Sequence, residues 1–142
     1  MQRTMVNMLA TIAFLLMGTV TRTDAWGRDA SLRCVYDLLV GARETLASCH
    51  YDIDAEKELR FTEVRANLKK FINKNVGAGG RKIDDEYDKD IRRGLEGSVS
   101  HCRGMSFVAI RSWFLEAMSA EWIAAINKRL ETPSDPDEGD CL

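Results

Sequence analysis

Cys34 and Cys49 sit fifteen positions apart on one stretch of regularly spaced apolar residues, and this limits the fold more than any other feature of the chain. From Ser31 to His50 the residues Leu32, Val35, Leu38, Leu39, Ala42, Leu46 and Cys49 recur at steps of three and four, which marks one face of an α-helix. A helix rises about 22 Å over fifteen residues, whereas bridged Cα atoms lie within about 7 Å of each other. These two cysteines therefore cannot pair with each other. With Cys102 and Cys141 they make an even set of four, which in an oxidising compartment reads as two disulfides. Of the three connectivities, two survive.

The N-terminus supplies the compartment. Arg3 is followed by sixteen residues without a formal charge, Met5 to Val20, and Thr23-Asp24-Ala25 then offers small residues at the two positions a signal peptidase reads. Cleavage is expected after Ala25. The run falls short of the roughly 20 residues needed to span a bilayer, and no later stretch approaches it, so the mature chain is expected to carry no transmembrane anchor. All four cysteines lie beyond the cut, and the protein is expected to be secreted or periplasmic.

Three further helical segments follow. Asp54 is a capping residue, with Glu56 and Glu58 in the first turn and Leu59, Phe61, Val64, Leu68, Phe71, Ile72 and Val76 continuing the pattern. Gly77-Ala78-Gly79-Gly80 ends it, because glycine forfeits the most backbone entropy in a helix. Ile83, Tyr87, Ile91, Leu95 and Val99 mark the third helix, which Gly94 and Gly97 weaken. The fourth segment runs from a Ser106 cap to about Glu131 without glycine or proline. Its apolar residues cover more than the roughly 100° stripe of a surface helix, so it is expected to be central or to carry a second face for a partner. No alternating run suggests a strand.

These segments predict an all-α fold: a four-helix up-down bundle, stapled by disulfides and preceded by a signal peptide. Residues 1–25 are the signal, 26–132 the helical domain, and 133–142 an acidic tail tied back by Cys141. In an up-down path the ends of the first and third helices share a pole, and the start of the first lies with the end of the fourth. The pairs expected on that path are Cys49 with Cys102 and Cys34 with Cys141.

Several activities are disfavoured. The formal charge is −2, and removal of residues 1–25 leaves 18 basic residues against 21 acidic ones, so the concentrated basic field that nucleic acid requires is missing. Cys49-His50-Tyr51-Asp52 differs from the signature of secreted phospholipases, in which the catalytic histidine adjoins the aspartate; here Tyr51 intervenes, and no glycine-rich calcium loop precedes. There is no Gly-x-Ser-x-Gly elbow, His-Glu-x-x-His or Walker loop. Gly77 to Lys82 lacks the strand and terminal Lys-Ser/Thr of a phosphate loop and reads as a linker. Asp135, Asp137, Glu138 and Asp140 gather hard oxygens, but Gly139 is out of register for an EF-hand, and a solvated tail is expected. The acids Asp84 to Asp90 read as dipole-stabilising residues at a helix start. Cys49, His50, His101 and Cys102 meet at one pole of this bundle; the expectation there is a disulfide beside two surface histidines and no metal.

The expected function is therefore protein binding without catalysis, of inhibitor, immunity, chaperone or accessory type, with no cofactor. In general plan such a chain is similar to periplasmic helical immunity proteins. The expected partner-binding residues are Trp113, Trp122, Phe107 and Met118, because aromatic side chains dominate interface energetics and a thin bundle cannot bury the whole fourth helix. Trp113, beside Ser112, Glu116 and Ser119, is the more exposed tryptophan in this reading, and a narrow apolar strip leaves room for a homodimer. Two alternatives stand beside it: a carrier of a small apolar ligand within the bundle, and a metal protein or small hydrolase using the two-histidine pole.

Overall fold

A computed structural model of the protein describes residues 30–95 and 102–141. The expected signal peptide, together with Gly97, Val99 and His101, lies outside the described residues. Among those residues there are five helices: α1 Leu32–Ser48, α2 Ala55–Asn75, α3 Asp85–Leu95, α4 Met105–Ala117 and α5 Ala120–Leu130. No strand occurs among them beyond a single parallel bridge between Ala30 and Asp140.

Local chemistry sets most helix ends. The Ser31 hydroxyl accepts a hydrogen bond from the Cys34 N–H at 3.1 Å, Asp54 accepts from Lys57 N at 2.9 Å, and Asp84 accepts from Tyr87 N at 2.8 Å. α1 closes with paired bonds from His50 N to Ala47 O (3.0 Å) and from Tyr51 N to Leu46 O (2.9 Å), while His50 takes a φ of 53°. This is the Schellman arrangement, with a histidine in the left-handed position that glycine usually fills. Between α2 and α3, the Asn73 amide donates to Ile83 O at 2.8 Å and accepts from Ile83 N at 2.6 Å, which fixes the glycine-rich turn against α2.

The fourth segment departs from expectation in two ways. Its helix begins after Gly104 and not at a Ser106 cap, and it divides at Met118 into α4 and α5. Neither glycine nor proline causes that break. Ser119 caps α5 by accepting from Trp122 N at 3.3 Å, and the Arg60 guanidinium of α2 donates to the Met118 carbonyl at 2.9 Å. Both groups freed by interrupting the helix thus find partners.

Of the two roles expected for the fourth segment, the central one falls to α1 instead. α1 packs on α2, α3 and α4, whereas α5 packs on α2 and α4. Val35, Tyr36, Leu39 and Leu46 of α1 are buried with Leu68 and Ile72 of α2, Phe114 and Met118 of the α4 end, and Ile126 of α5. A divided fourth segment presents two short faces to the core, which leaves the longer unbroken α1 to serve three neighbours.

Two disulfides join Cys34 to Cys141 and Cys49 to Cys102, with Cα separations of 5.4 and 5.5 Å. The tail is docked and not merely tethered. Pro136 is buried, its carbonyl accepts from Arg33 N at 3.0 Å, Asp140 O accepts from Ser31 N at 3.3 Å, and Asp137 pairs with the Arg33 guanidinium. These contacts occupy N–H groups at the start of α1 that no intrahelical carbonyl can reach.

Candidate functional site

Small residues on α1 open a groove between α3 and α4. Leu38, Gly41, Ala42 and Thr45 follow one another at helical spacing; Ile91, Gly94 and Leu95 of α3 form one wall, and Ala109, Ile110 and Trp113 of α4 form the other. The space they enclose is about 510 Å³ and is open to solvent, within the range of small-molecule sites. A Cβ on Gly41 would come no closer than 3.8 Å to Leu95 Cδ1, and one on Gly94 would meet nothing within 4 Å. Each glycine in a helix interior costs roughly 0.5–1 kcal/mol against alanine, so the space is held open at some expense in helix stability. The Thr45 hydroxyl donates to the Gly41 carbonyl at 2.9 Å within its own helix, so its polarity is satisfied locally.

Asp37 is the one ionisable residue lining the groove among the described residues. Its Oδ1 accepts a hydrogen bond from the Tyr87 hydroxyl at 2.7 Å, and Oδ2 has no hydrogen-bond partner among the described residues. Burial raises this carboxyl above the usual carboxylate range, against the Tyr87 hydrogen bond and the charge of Arg33, which lower it. The Tyr87 hydroxyl is pushed up to about 12, chiefly by burial and further by Asp37, with Arg33 opposing. The Arg33 and Arg81 guanidiniums lie over the Tyr87 ring at 5.6 and 4.9 Å from its centroid. Arg33 also pairs with Asp137 and donates to the Arg81 carbonyl at 2.7 Å, while its Nη1 is buried with no hydrogen-bond partner among the described residues.

A second polar cluster locks α1 to α2 and α3. The buried Asp88 accepts from the Tyr36 hydroxyl at 2.7 Å and from Arg65 Nη2 at 2.6 Å. Burial first, then the Asp88 hydrogen bond, raises the Tyr36 hydroxyl well above its usual value. Both carboxylate oxygens are engaged, so the cluster ties the three helices together. Between α2 and α5 a smaller hollow of about 360 Å³ is lined by Asn67, Lys70, Phe71, Lys74, Leu130 and others.

The residues expected to form one partner-binding surface are dispersed. Trp113 is half-buried and lines the groove; Trp122, also half-buried, meets it edge-on at 6.3 Å with an interplanar angle of 84°. Phe107 is half-buried and packs against the ring of Tyr51 at 6.5 Å. Met118 is fully buried at the helix break and offers no surface, because the chain turns there into the core. At the opposite pole Cys49 and Cys102 are bonded to each other, so neither sulfur is a thiolate ligand. His50 is exposed and serves as the left-handed terminus of α1. No group of three or more metal-ligating side chains gathers among the described residues, and no helix there is long and apolar enough to cross a membrane.

Sequence reasoning missed Asp37, Gly41 and Gly94 as site residues. The available signal was a pair of helix-interior glycines, Gly41 and Gly94, each conformationally costly where it stands. No protein-family model matches the chain, and neither a curated protein nor a solved structure resembles it significantly.

Proposed function

We propose that this protein is a secreted or periplasmic binding module, without catalysis of its own, that holds a small apolar ligand in the groove between α1, α3 and α4. The observation that carries this reading is the groove itself: about 510 Å³, walled by Leu38, Ile91, Leu95, Ile110 and Trp113, with a single carboxylate at its margin. The two disulfides fit an oxidising compartment. The test is titration with the neutral apolar probe N-phenyl-1-naphthylamine. Saturable binding at one site per chain is expected, with quenching of tryptophan emission by energy transfer from Trp113. Gly94→Leu, which directs a side chain into open groove space, should abolish binding while leaving the melting transition in place. A folded chain that takes up no probe refutes the reading.

A second reading, docking to another protein, draws on the outer face of α4, where Met105 is 89% and Val108 44% exposed one turn apart. Paired charges there, Met105→Asp with Val108→Asp, should leave probe binding intact and abolish self-association or partner capture if that face is the interface. Sedimentation of the two forms separates these functions.

A further inference from the structure

The groove, once read as a ligand site, has a polarity that narrows its ligand, and the following step rests on that reading. We infer that the ligand is a cationic amphiphile, an apolar chain or ring system carrying an ammonium group that sits on Asp37.

Of the eleven described residues that line the groove, ten are apolar, glycine or the internally bonded Thr45, and Asp37 alone among them carries charge. Its position is at the end of the α1 stripe, one turn before Gly41, so a ligand lying along the stripe meets the carboxylate with one end. A carboxylate accepts and cannot donate, so its complement is a donor, and a charged donor makes a hydrogen bond roughly twice as strong as a neutral one. Oδ1 is already fixed by the Tyr87 hydroxyl, which holds the group in place and leaves Oδ2 for the ligand.

The surrounding charges are of both signs, with Arg33 acting on Asp37 more strongly than either neighbouring carboxylate. Four groups act on Asp37 from the elements packed about it: Tyr87 and Asp88 of α3, Arg33 of α1 and Asp137 of the tail. Arg33 is the only cation among them; its Nε and Nη2 bond to Asp137 and the Arg81 carbonyl, while Nη1 is buried with no hydrogen-bond partner among the described residues. Asp88 and Asp137 add negative potential at Asp37. An anionic headgroup would set like charges against one another in a partly desolvated site, and a neutral alcohol would gain a hydrogen bond without the Coulombic attraction.

The experiment displaces N-phenyl-1-naphthylamine from the full chain with three probes that share one tail, dodecylammonium, dodecanol and dodecanoate, the two ions below their micelle-forming concentrations and the alcohol below its solubility limit. The expected order is ammonium tightest by roughly tenfold over the alcohol, and dodecanoate weakest. Asp37→Asn keeps an oxygen for the Tyr87 hydroxyl, and should bring the ammonium and alcohol to the same affinity while leaving the alcohol unchanged. Equal binding of the three, a preference for the carboxylate, or an ammonium preference that survives Asp37→Asn overturns the headgroup assignment with the groove reading intact. Failure of all three probes and of the naphthylamine itself overturns the groove reading, and the headgroup assignment falls with it.

Discussion

Along one stripe of α1, Val35, Leu39 and Leu46 are 1% exposed or less, whereas on the adjoining stripe Leu38, Gly41 and Thr45 remain part-exposed at the floor of the groove. Both stripes belong to the same helix and repeat at the same spacing. The difference lies in what opposes them. The filled stripe enters a core that includes Phe61, Val64, Leu68 and Ile72 of α2, large residues at matched intervals. On the other, glycines stand at Gly41 and Gly94 where side chains of ordinary size would have room, and the helices flanking the groove do not fill it. A single helix is thus packed core on one side and the floor of an open groove on the other, with the volume of the opposing side chains marking the difference.

The largest expected effect tests this directly. Leu39→Ala should cost about 3 kcal/mol in urea unfolding, since it removes a buried side chain from a packed core. Gly41→Ala should instead stabilise by up to about 1 kcal/mol, because the new methyl meets only ordinary contacts and alanine favours the helix. If Gly41→Ala is as damaging as Leu39→Ala, the two stripes are not different in kind.

An effect of similar or slightly smaller size separates the two ends of α1. Cys34–Cys141 ties the tail across the start of the helix, and Cys49–Cys102 ties its end to the segment that leads into α4. Replacing either pair by alanine should cost about 2–4 kcal/mol through the longer unfolded chain it permits. Only loss of Cys49–Cys102 is expected to weaken probe binding at temperatures where both variants are folded, because α4 carries the Trp113 wall. Equal loss of binding in the two variants would mean that the tail, too, supports the groove.

How far these features were legible depends on the range over which each is specified. The all-helical class, α1, α2 and the Asp54 cap are local, and the three-and-four spacing with Asp54 was enough to read them, whereas the equally local Ser31 cap was not read. The cysteine pairs also follow from sequence, because helix length forbids Cys34 with Cys49 and an up-down path chooses between the two connectivities that remain. The break at Met118 was hidden: its cause is a serine cap together with Arg60, which comes from 58 residues away, and the uninterrupted apolar run gave no warning. That run was read as either the central helix or one with a second face for a partner, yet centrality is set by the number of neighbours, and α1 packs on three. The docked tail was hidden by its charge. Its acidity reads as solvation, whereas Pro136 and the carbonyls of the tail backbone do the docking. The groove is least legible of all, because an empty volume is a relation among three helices, and in the sequence it leaves only two unexplained glycines.

The smallest effect concerns the end of the groove. Burial raises the Asp37 carboxyl above its unfolded value, so the folded chain holds that proton more firmly than the unfolded chain does. The stabilisation this brings is complete below the unfolded carboxyl's pKa of about 4 and is lost as pH rises through the higher folded value. At neutral pH the ionised group is then a net cost to folding. Asp37→Asn removes the charge and keeps an oxygen to accept from Tyr87, so it should be the more stable form at pH 7, by less than about 1 kcal/mol once solvent screening is allowed for. Near pH 3 the two forms should unfold alike, and urea titrations at the two pH values measure the difference. A variant less stable than the parent at pH 7 would mean that the carboxylate is needed to hold Tyr87 and Arg33 in place. In that case the charged end of the groove would belong with the filled side of α1, as part of the scaffold, and the boundary between scaffold and binding surface would fall at Gly41, one turn further along the helix.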